Sequence, residues 1–183
     1  MKKISLNKSI ALGAFLVLAV SLGRSLAASA QDTNANPLFT EKKVRNYLPH
    51  MSWSEVEEAL KQTDVVIIPV GSIEQHAKHL PLGTDFYGAL ETCLLVAQKS
   101  EAVVAPVVLA GLSSHHLGFP GTITLTPETF EAVVYETALS LIQHGFRKVL
   151  LYNGHGKNTE SVAKIIQKIN QTTPATEIGR AHV

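Results

Sequence analysis

Within the fifteen residues from Gly71 to Asp85 the chain places Glu74, His76, His79 and Asp85 among glycines and prolines. Carboxylate oxygens and imidazole nitrogens are the donors that hold Zn²⁺ or Mn²⁺, which makes Glu74, His76 and Asp85 candidate ligands. Glu74 and His76 are two residues apart, so in an extended segment both side chains point the same way. Pro81 and Gly83, around Leu82, can turn the chain back and let Asp85 face them. Asn153-Gly154-His155-Gly156 supplies another imidazole, His155, to close the set. A plainer reading makes Glu74 and Asp85 turn or helix-entry acids and the histidines surface or core groups. No tight motif such as H-E-x-x-H decides between the two.

Other residues carry weaker signals. His79 stands before Pro81, suited either to supporting the site or contacting substrate, or simply to shaping the turn. His115 and His116 precede the rigid turn Gly118-Phe119-Pro120-Gly121-Thr122, and His116 is the candidate proton carrier. The glycines around His155 would let backbone N–H groups approach an anionic oxygen. A phosphate loop is excluded because the G-x-x-x-x-G-K-[ST] spacing is absent. Cys93, the single cysteine, lies in an apolar helical stretch and reads as a small core residue. Trp53 is expected to pack.

These residues need elements to position them. Val65 to Val70 is continuously apolar, as in a parallel strand covered on both faces, and Val149 to Tyr152 is a second such run. Val103 to Leu109 reads as a strand interrupted by Pro106, and Thr122 to Leu125 as a short one. Ser54-Glu55-Val56-Glu57 reads as a capping box opening a helix from Glu55 to about Gln62. Asp85 to Gln98 is the next expected helix. Thr126, Pro127 and Glu128 open a strong one that Gly145 ends, and Asn158 or Thr159 opens another. Strands alternating with helices predict a mostly parallel sheet between helical layers. Polar clusters at the exits of buried strands are where such sheets place their chemistry.

The first thirty of the 183 residues are expected to lie outside the fold. Lys2, Lys3 and Lys8 precede an apolar run from Ile10 to Leu22, and Ala28-Ser29-Ala30 has the pattern of a cleavage site. This is the layout of a signal peptide, too short for a membrane span, and it implies an exported protein, periplasmic or secreted. Removing its four basic residues from 16 leaves 12 against 15 acidic ones, −3 with histidine neutral. A mildly acidic chain without a basic run gives no electrostatic case for nucleic acid or an anionic membrane. The expected organisation is a signal peptide (1–30), a linker and N-terminal segment (31–50), one catalytic-type domain (51–171) and an unpatterned tail (172–183).

Gly71-Ser72-x-Glu74-Gln75-His76-x-x-His79-Leu80-Pro81-Leu82-Gly83-Thr84-Asp85, Phe119-Pro120-Gly121-Thr122 and Asn153-Gly154-His155-Gly156 together resemble the creatininase (creatinine amidohydrolase) family. The resemblance runs from about Met51 to Asn158. It implies an α/β fold, a three-layer α/β/α arrangement with a binuclear divalent-metal centre, Zn or Mn with Fe also accepted. It further implies hydrolysis of a cyclic or simple small-molecule amide by a metal-activated water, in a homo-oligomer. Carried over residue by residue, Glu74 and His155 resemble ligands of one ion, His76 a ligand of the other, and Asp85 the bridge. Three departures stand out. Ala77-Lys78 replaces a frequent Gly-Pro. Lys157 stands where creatininase itself has a Glu; an ammonium repels a cation there, and Lys157 is instead a candidate to hold a substrate carboxylate. The later segment that supplies a ligand and a catalytic His in many relatives has no counterpart before the end of this sequence, unless His182 is its remnant, so a C-terminally incomplete form of the fold is expected. The alternative is a non-catalytic metal or small-ligand binding protein of the same fold.

Overall fold

The computed structural model describes residues 42–173 and, for the backbone alone, residues 177–182. The expected signal peptide and the linker up to residue 41 lie outside the described residues. From Val44 onward the chain builds one unit. Its elements are α1 (Trp53–Leu60), β1 (Val65–Val70), α2 (Thr84–Lys99), β2 (Val103–Val104), α3 (Pro127–Gln143), β3 (Lys148–Asn153), α4 (Thr159–Thr172) and β4 (Glu177–His182). All pairings in the sheet are parallel, in the order β2-β1-β3-β4.

Alternation along β1 divides the core in two. Val66, Ile68 and Val70 pack with Phe130, Val134 and Ala138 of α3 and with Val162, Ile165 and Ile169 of α4. Ile67 packs the other way, with Cys93, Leu94 and Ala97 of α2. Helices on both faces explain why β1 is continuously apolar, and they make the three-layer α/β/α fold. Each fully buried Val or Ile contributes about 1.5–3 kcal/mol. Cys93 lies in the α2 layer, where burial pushes its thiol up to about 12, so it is inert. No described helix is long and apolar enough to cross a membrane.

Several expectations shift. The first helix is capped by Ser52, whose side chain accepts from Glu55 N–H while Glu55 accepts from Ser52 N–H. The capping box is therefore Ser52–Glu55, one S-x-x-E earlier than the Ser54 box. Trp53 is 77% exposed rather than packed. The 103–109 strand shrinks to Val103–Val104, because Pro106 has no N–H to continue the ladder; pairing returns only as a single bridge, Val70 to Val108. Thr122 to Leu125 is not a strand and makes one antiparallel bridge, Ile123 to Ile73. The tail taken as unpatterned contains β4, which pairs with β3 along its length. Val44, Tyr47 and Leu48, from the expected N-terminal segment, pack against the two cores.

Connections leave β1 toward β2 on one side and β3 toward β4 on the other. The strand order therefore reverses between β1 and β3, and the crevice beyond their carboxyl ends is where an open α/β sheet binds ligands.

Candidate metal centre

Glu74 follows the end of β1. Its N–H donates to Leu82 O at 3.0 Å, closing a loop that returns the chain to the start of α2. Asp85 sits in the first turn of α2, where the helix dipole favours a carboxylate. Two glycines let that turn lie against the strand ends. A Cβ on Gly71 would stand 2.7 Å from Phe86 Cα, and one on Gly154 would stand 2.7 Å from Asp85 O. His155 follows β3. The Asn153 side chain donates to His155 O at 2.8 Å and accepts from His155 N–H at 3.2 Å, which fixes the turn. Asn158 ties the strand ends together by donating to Gly71 O (3.1 Å) and accepting from Leu112 N–H (3.0 Å). A third segment is fastened on top by the buried Ser72–Ser113 hydroxyl pair and by Ser113 N–H donating to Thr124 Oγ1 at 2.9 Å. It carries His115 and His116 on the short turn Ser114–His116.

All four expected ligands converge. His76 Nε2 lies 3.0 Å from Asp85 Oδ1, and His76 Nδ1 lies 3.1 Å from the Glu74 carbonyl. His155 Nδ1 is 2.9 Å from Asp85 Oδ2, and its Nε2 is 3.5 Å from Glu74 Oε2. Glu74, Asp85 and His155 each offer a donor atom within 4.8 Å of the others. Glu74 and His155 are buried and Asp85 partly so. Glu74 Oε2 and Asp85 Oδ2 are buried oxygens without a well-aligned hydrogen-bond donor among the described residues. Burying carboxylate oxygens in this way is costly unless a cation satisfies them. Two carboxylates with imidazoles also form a hard-to-borderline donor set, so the residues fit a divalent ion.

Burial of the His155 ring works against its charged form. The Asp85 carboxylate close beside the ring and the charge of Glu74 outweigh that, so its pKa lies above the usual value. His115 is exposed and is shifted the other way, by partial desolvation and then by the neighbouring His116. His116 is placed beside the cluster, with Nδ1 3.5 Å from Glu74 Oε2 and Nε2 3.1 Å from the Gln75 amide nitrogen. Lys157 is exposed and close enough to act electrostatically on His115. His79 is exposed and makes no hydrogen bond or ion pair among the described residues. Sequence reasoning passed over Gln75, Ser72, Asn153 and Asn158 as positioning groups. The available signal was that all four lie within or beside the motifs that carry the ligands.

An α/β sheet whose strand order reverses at a carboxylate–imidazole cluster defines a protein with a divalent-cation-type site. A family model described as "Creatininase: Creatinine amidohydrolase" matches residues 49–182, and the chain belongs to the creatininase family. It is 36% identical over 118 residues to a 3-dehydro-scyllo-inosose hydrolase of Thermotoga maritima, covering 64% of this chain and 38% of that protein. It is 38% identical over 108 residues to a mycofactocin precursor peptide peptidase of Mycolicibacterium smegmatis (56% and 43% covered). It is 31% identical over 119 residues to a creatinine amidohydrolase of Pseudomonas putida (62% and 46% covered). The chain thus spans less than half the length of each of these relatives. Among solved structures it resembles "Creatininase Mn", with TM-score 0.67 and 26% identity over 77% of this chain and 58% of that one. A mutant creatininase of Zn-Zn type gives TM-score 0.66 and 26% identity over 75% and 57%.

Proposed function

We propose that this chain carries the metal centre of an exported, homo-oligomeric, metal-dependent amidohydrolase that cleaves the C–N bond of a cyclic or simple small-molecule amide. The observation that carries this reading is the convergence of Glu74, Asp85 and His155, with two buried carboxylate oxygens left without aligned donors. The names of the relatives support hydrolysis as the common theme, and two of them, an amidohydrolase and a peptidase, act on amides.

Glu74, Asp85 and His155 would hold a divalent cation, Zn²⁺ or Mn²⁺, with His76 adjoining through Asp85. A bound cation supplies a lowered water pKa and polarises a carbonyl, so hydroxide is available near neutral pH. The residues themselves fix that chemistry in place. Asn153 fixes the backbone turn that carries His155, Asp85 faces its ring, and Gly71 and Gly154 let Asp85 approach it. Leu112 O, 3.3 Å from His155 Nε2, and Glu74 compete for the second ring nitrogen. Lys157, exposed and near enough to act electrostatically on His115, would hold a carboxylate on the substrate. Two roles are open to His116, carrying a proton to the leaving nitrogen or serving as a ligand, because its Nδ1 faces Glu74.

The test uses Asp85→Asn, which keeps the side-chain shape and removes the charge. Elemental analysis should find the bound metal lost, and release of amine or ammonia from a panel of cyclic and simple amides should stop with it. Unchanged metal content in this variant would sink the site assignment. Metal bound without turnover of any amide by the parent protein would favour the second reading, a binding protein of the same fold, which Lys157 at a ligand-like position motivates.

A further inference from the structure

α4 begins at Thr159, and Asn158 before it makes no side-chain capping bond. Asparagine at such a position ordinarily turns back onto the first-turn N–H groups. Here its carboxamide is fully buried and holds two distant segments instead. Oδ1 accepts from Leu112 N–H at 3.0 Å, and Nδ2 donates to Gly71 O at 3.1 Å. An N–H only donates and a carbonyl only accepts, so these partners leave the amide one orientation. Thr124 holds the next peptide along, because its Oγ1 accepts from Ser113 N–H at 2.9 Å. The Leu112 carbonyl lies between these two fastened N–H groups, and it faces His155 Nε2 at 3.3 Å.

We propose that Asn158 and Thr124 are positioning residues that act on the metal centre through the main chain. Together they hold the Leu112 carbonyl on His155 Nε2, which leaves Nδ1 as the ring nitrogen turned to Asp85 and to the cation. The role of Nδ1 rests on reading Glu74, Asp85 and His155 as a cation site; the hold on the ring does not.

Hydrogen-bond roles decide which nitrogen is which. A carbonyl accepts only, so the ring proton that meets Leu112 O sits on Nε2. Glu74 Oε2 stands 3.5 Å from the same nitrogen, yet it finds no aligned donor among the described residues. Nε2–H therefore points to the carbonyl and not to the carboxylate. In the neutral ring Nδ1 is then a lone pair, 2.9 Å from Asp85 Oδ2, which also lacks an aligned donor among the described residues. A lone pair and a carboxylate oxygen at that distance repel unless a positive charge satisfies both. A histidine that ligates a metal through one nitrogen commonly gives its other N–H to a backbone carbonyl, which fixes the ring direction and the tautomer. The carbonyl serves only if it cannot turn away. Rotating the Leu112–Ser113 peptide would break the Thr124 bond, and moving Leu112 would break the Asn158 bond. Gly111 shows how closely the segment fits, since a Cβ there would stand 2.8 Å from Asn158 Oδ1 and 2.7 Å from Gly71 O.

The experiment labels the histidines of the full chain with ¹⁵N and reads the ring nitrogens by NMR, in chelator-treated protein at alkaline pH and again with Zn²⁺. His155→Gln assigns the signals, and calorimetry with Co²⁺ measures cation affinity. In the parent protein His155 should carry its ring proton on Nε2 in both states. Thr124→Val keeps the shape and removes the hydroxyl. That variant and Asn158→Ala should each speed solvent exchange of the ring proton and weaken Co²⁺ binding, both by about tenfold or more. Thr124→Ser should restore both readouts, which guards against a fold lost in the Asn158 variant. Ser161→Ala, which removes the bond from α4 to Glu131, is the control and should lower stability without moving either readout. A proton on Nδ1 in the parent, unchanged readouts in Thr124→Val and Asn158→Ala, or an equal loss in Ser161→Ala would overturn the proposal. A ring held as expected in a protein that binds no Co²⁺ would overturn the role given to Nδ1, and the cation site with it, and leave the Leu112 hold standing.

Discussion

Two groups of side chains meet at Glu74, and the chain builds them in different ways. Asp85 and His155 are placed by backbone. The first turn of α2 lies in contact with the glycines at the ends of β1 and β3, and the Asn153 side chain brackets the turn that carries His155. His115 and His116 stand on a three-residue turn whose outer side meets solvent, fastened below by hydrogen bonds from Ser113 to Ser72 and Thr124. The first group cannot shift without moving the sheet and α2, whereas the second can adjust within a loop. Donors held by the scaffold reach their geometry before a ligand arrives, which lowers the ordering cost of binding.

The largest test of this contrast lies within one motif. At Gly154 a Cβ would meet Asp85 O at 2.7 Å and Ala89 Cβ at 3.0 Å; at Gly156 nothing stands within 4 Å. Gly154→Ala should therefore cost about 1–3 kcal/mol in urea unfolding, as overpacking does. It should also weaken cation binding by displacing Asp85. Gly156→Ala should stay within about 0.5 kcal/mol. Equal effects at the two glycines would show that the close approach of α2 is not what places Asp85.

A smaller effect separates the groups by pH. The pKa of His155 is raised in the fold by Asp85 and Glu74 despite burial. In ion-free protein its protonated ring therefore adds stability that is fully present below the unfolded value, about 6.5, and is lost as pH rises through the raised folded value. A cation needs the neutral ring, so its stabilisation runs the other way and grows with pH. Melting temperatures with chelator should fall across the neutral range, and those with saturating Zn²⁺ should not. His155→Gln should flatten the chelator series. His115, shifted downward and exposed, contributes the opposite sign and should leave that series nearly unchanged when replaced by Ala. A chelator series that is flat in the parent protein would deny the His155–carboxylate coupling.

The backbone-built group was the more legible one in the sequence. Glu74, His76, Asp85 and His155 could be named because they lie in short motifs at the ends of the apolar runs that became β1 and β3. What escaped was set by distant pairing. β4 reads Glu-Ile-Gly-Arg-Ala-His and, among the described residues, pairs only with β3, so it needs no continuous apolar run and shows none. Asn158 reads as a helix opener, yet its side chain bonds Gly71 and Leu112, 87 and 46 residues away. The second group was only half seen. His115 and His116 were visible as a pair, but their nearness to Glu74 depends on the 113–124 segment folding over the strand ends.

The smallest test concerns the loop between Glu74 and Asp85. Ala77 adopts φ of 58°, in the left-handed region, and its N–H donates to Gln75 Oε1 at 2.9 Å. An L-residue there costs about 1–2 kcal/mol, and a glycine removes that strain. Glycine also gives back about 0.4–1 kcal/mol through the greater freedom of the unfolded chain. Ala77→Gly should thus be neutral to stabilising by up to about 1 kcal/mol in urea unfolding, with Co²⁺ affinity unchanged. That outcome assigns the strain to the loop and leaves the scaffold-held donors indifferent to it. Weaker binding would mean that the kinked loop helps to place Glu74 and Asp85, and the contrast between a rigid group and an adjustable one would then have to be redrawn with this loop on the rigid side.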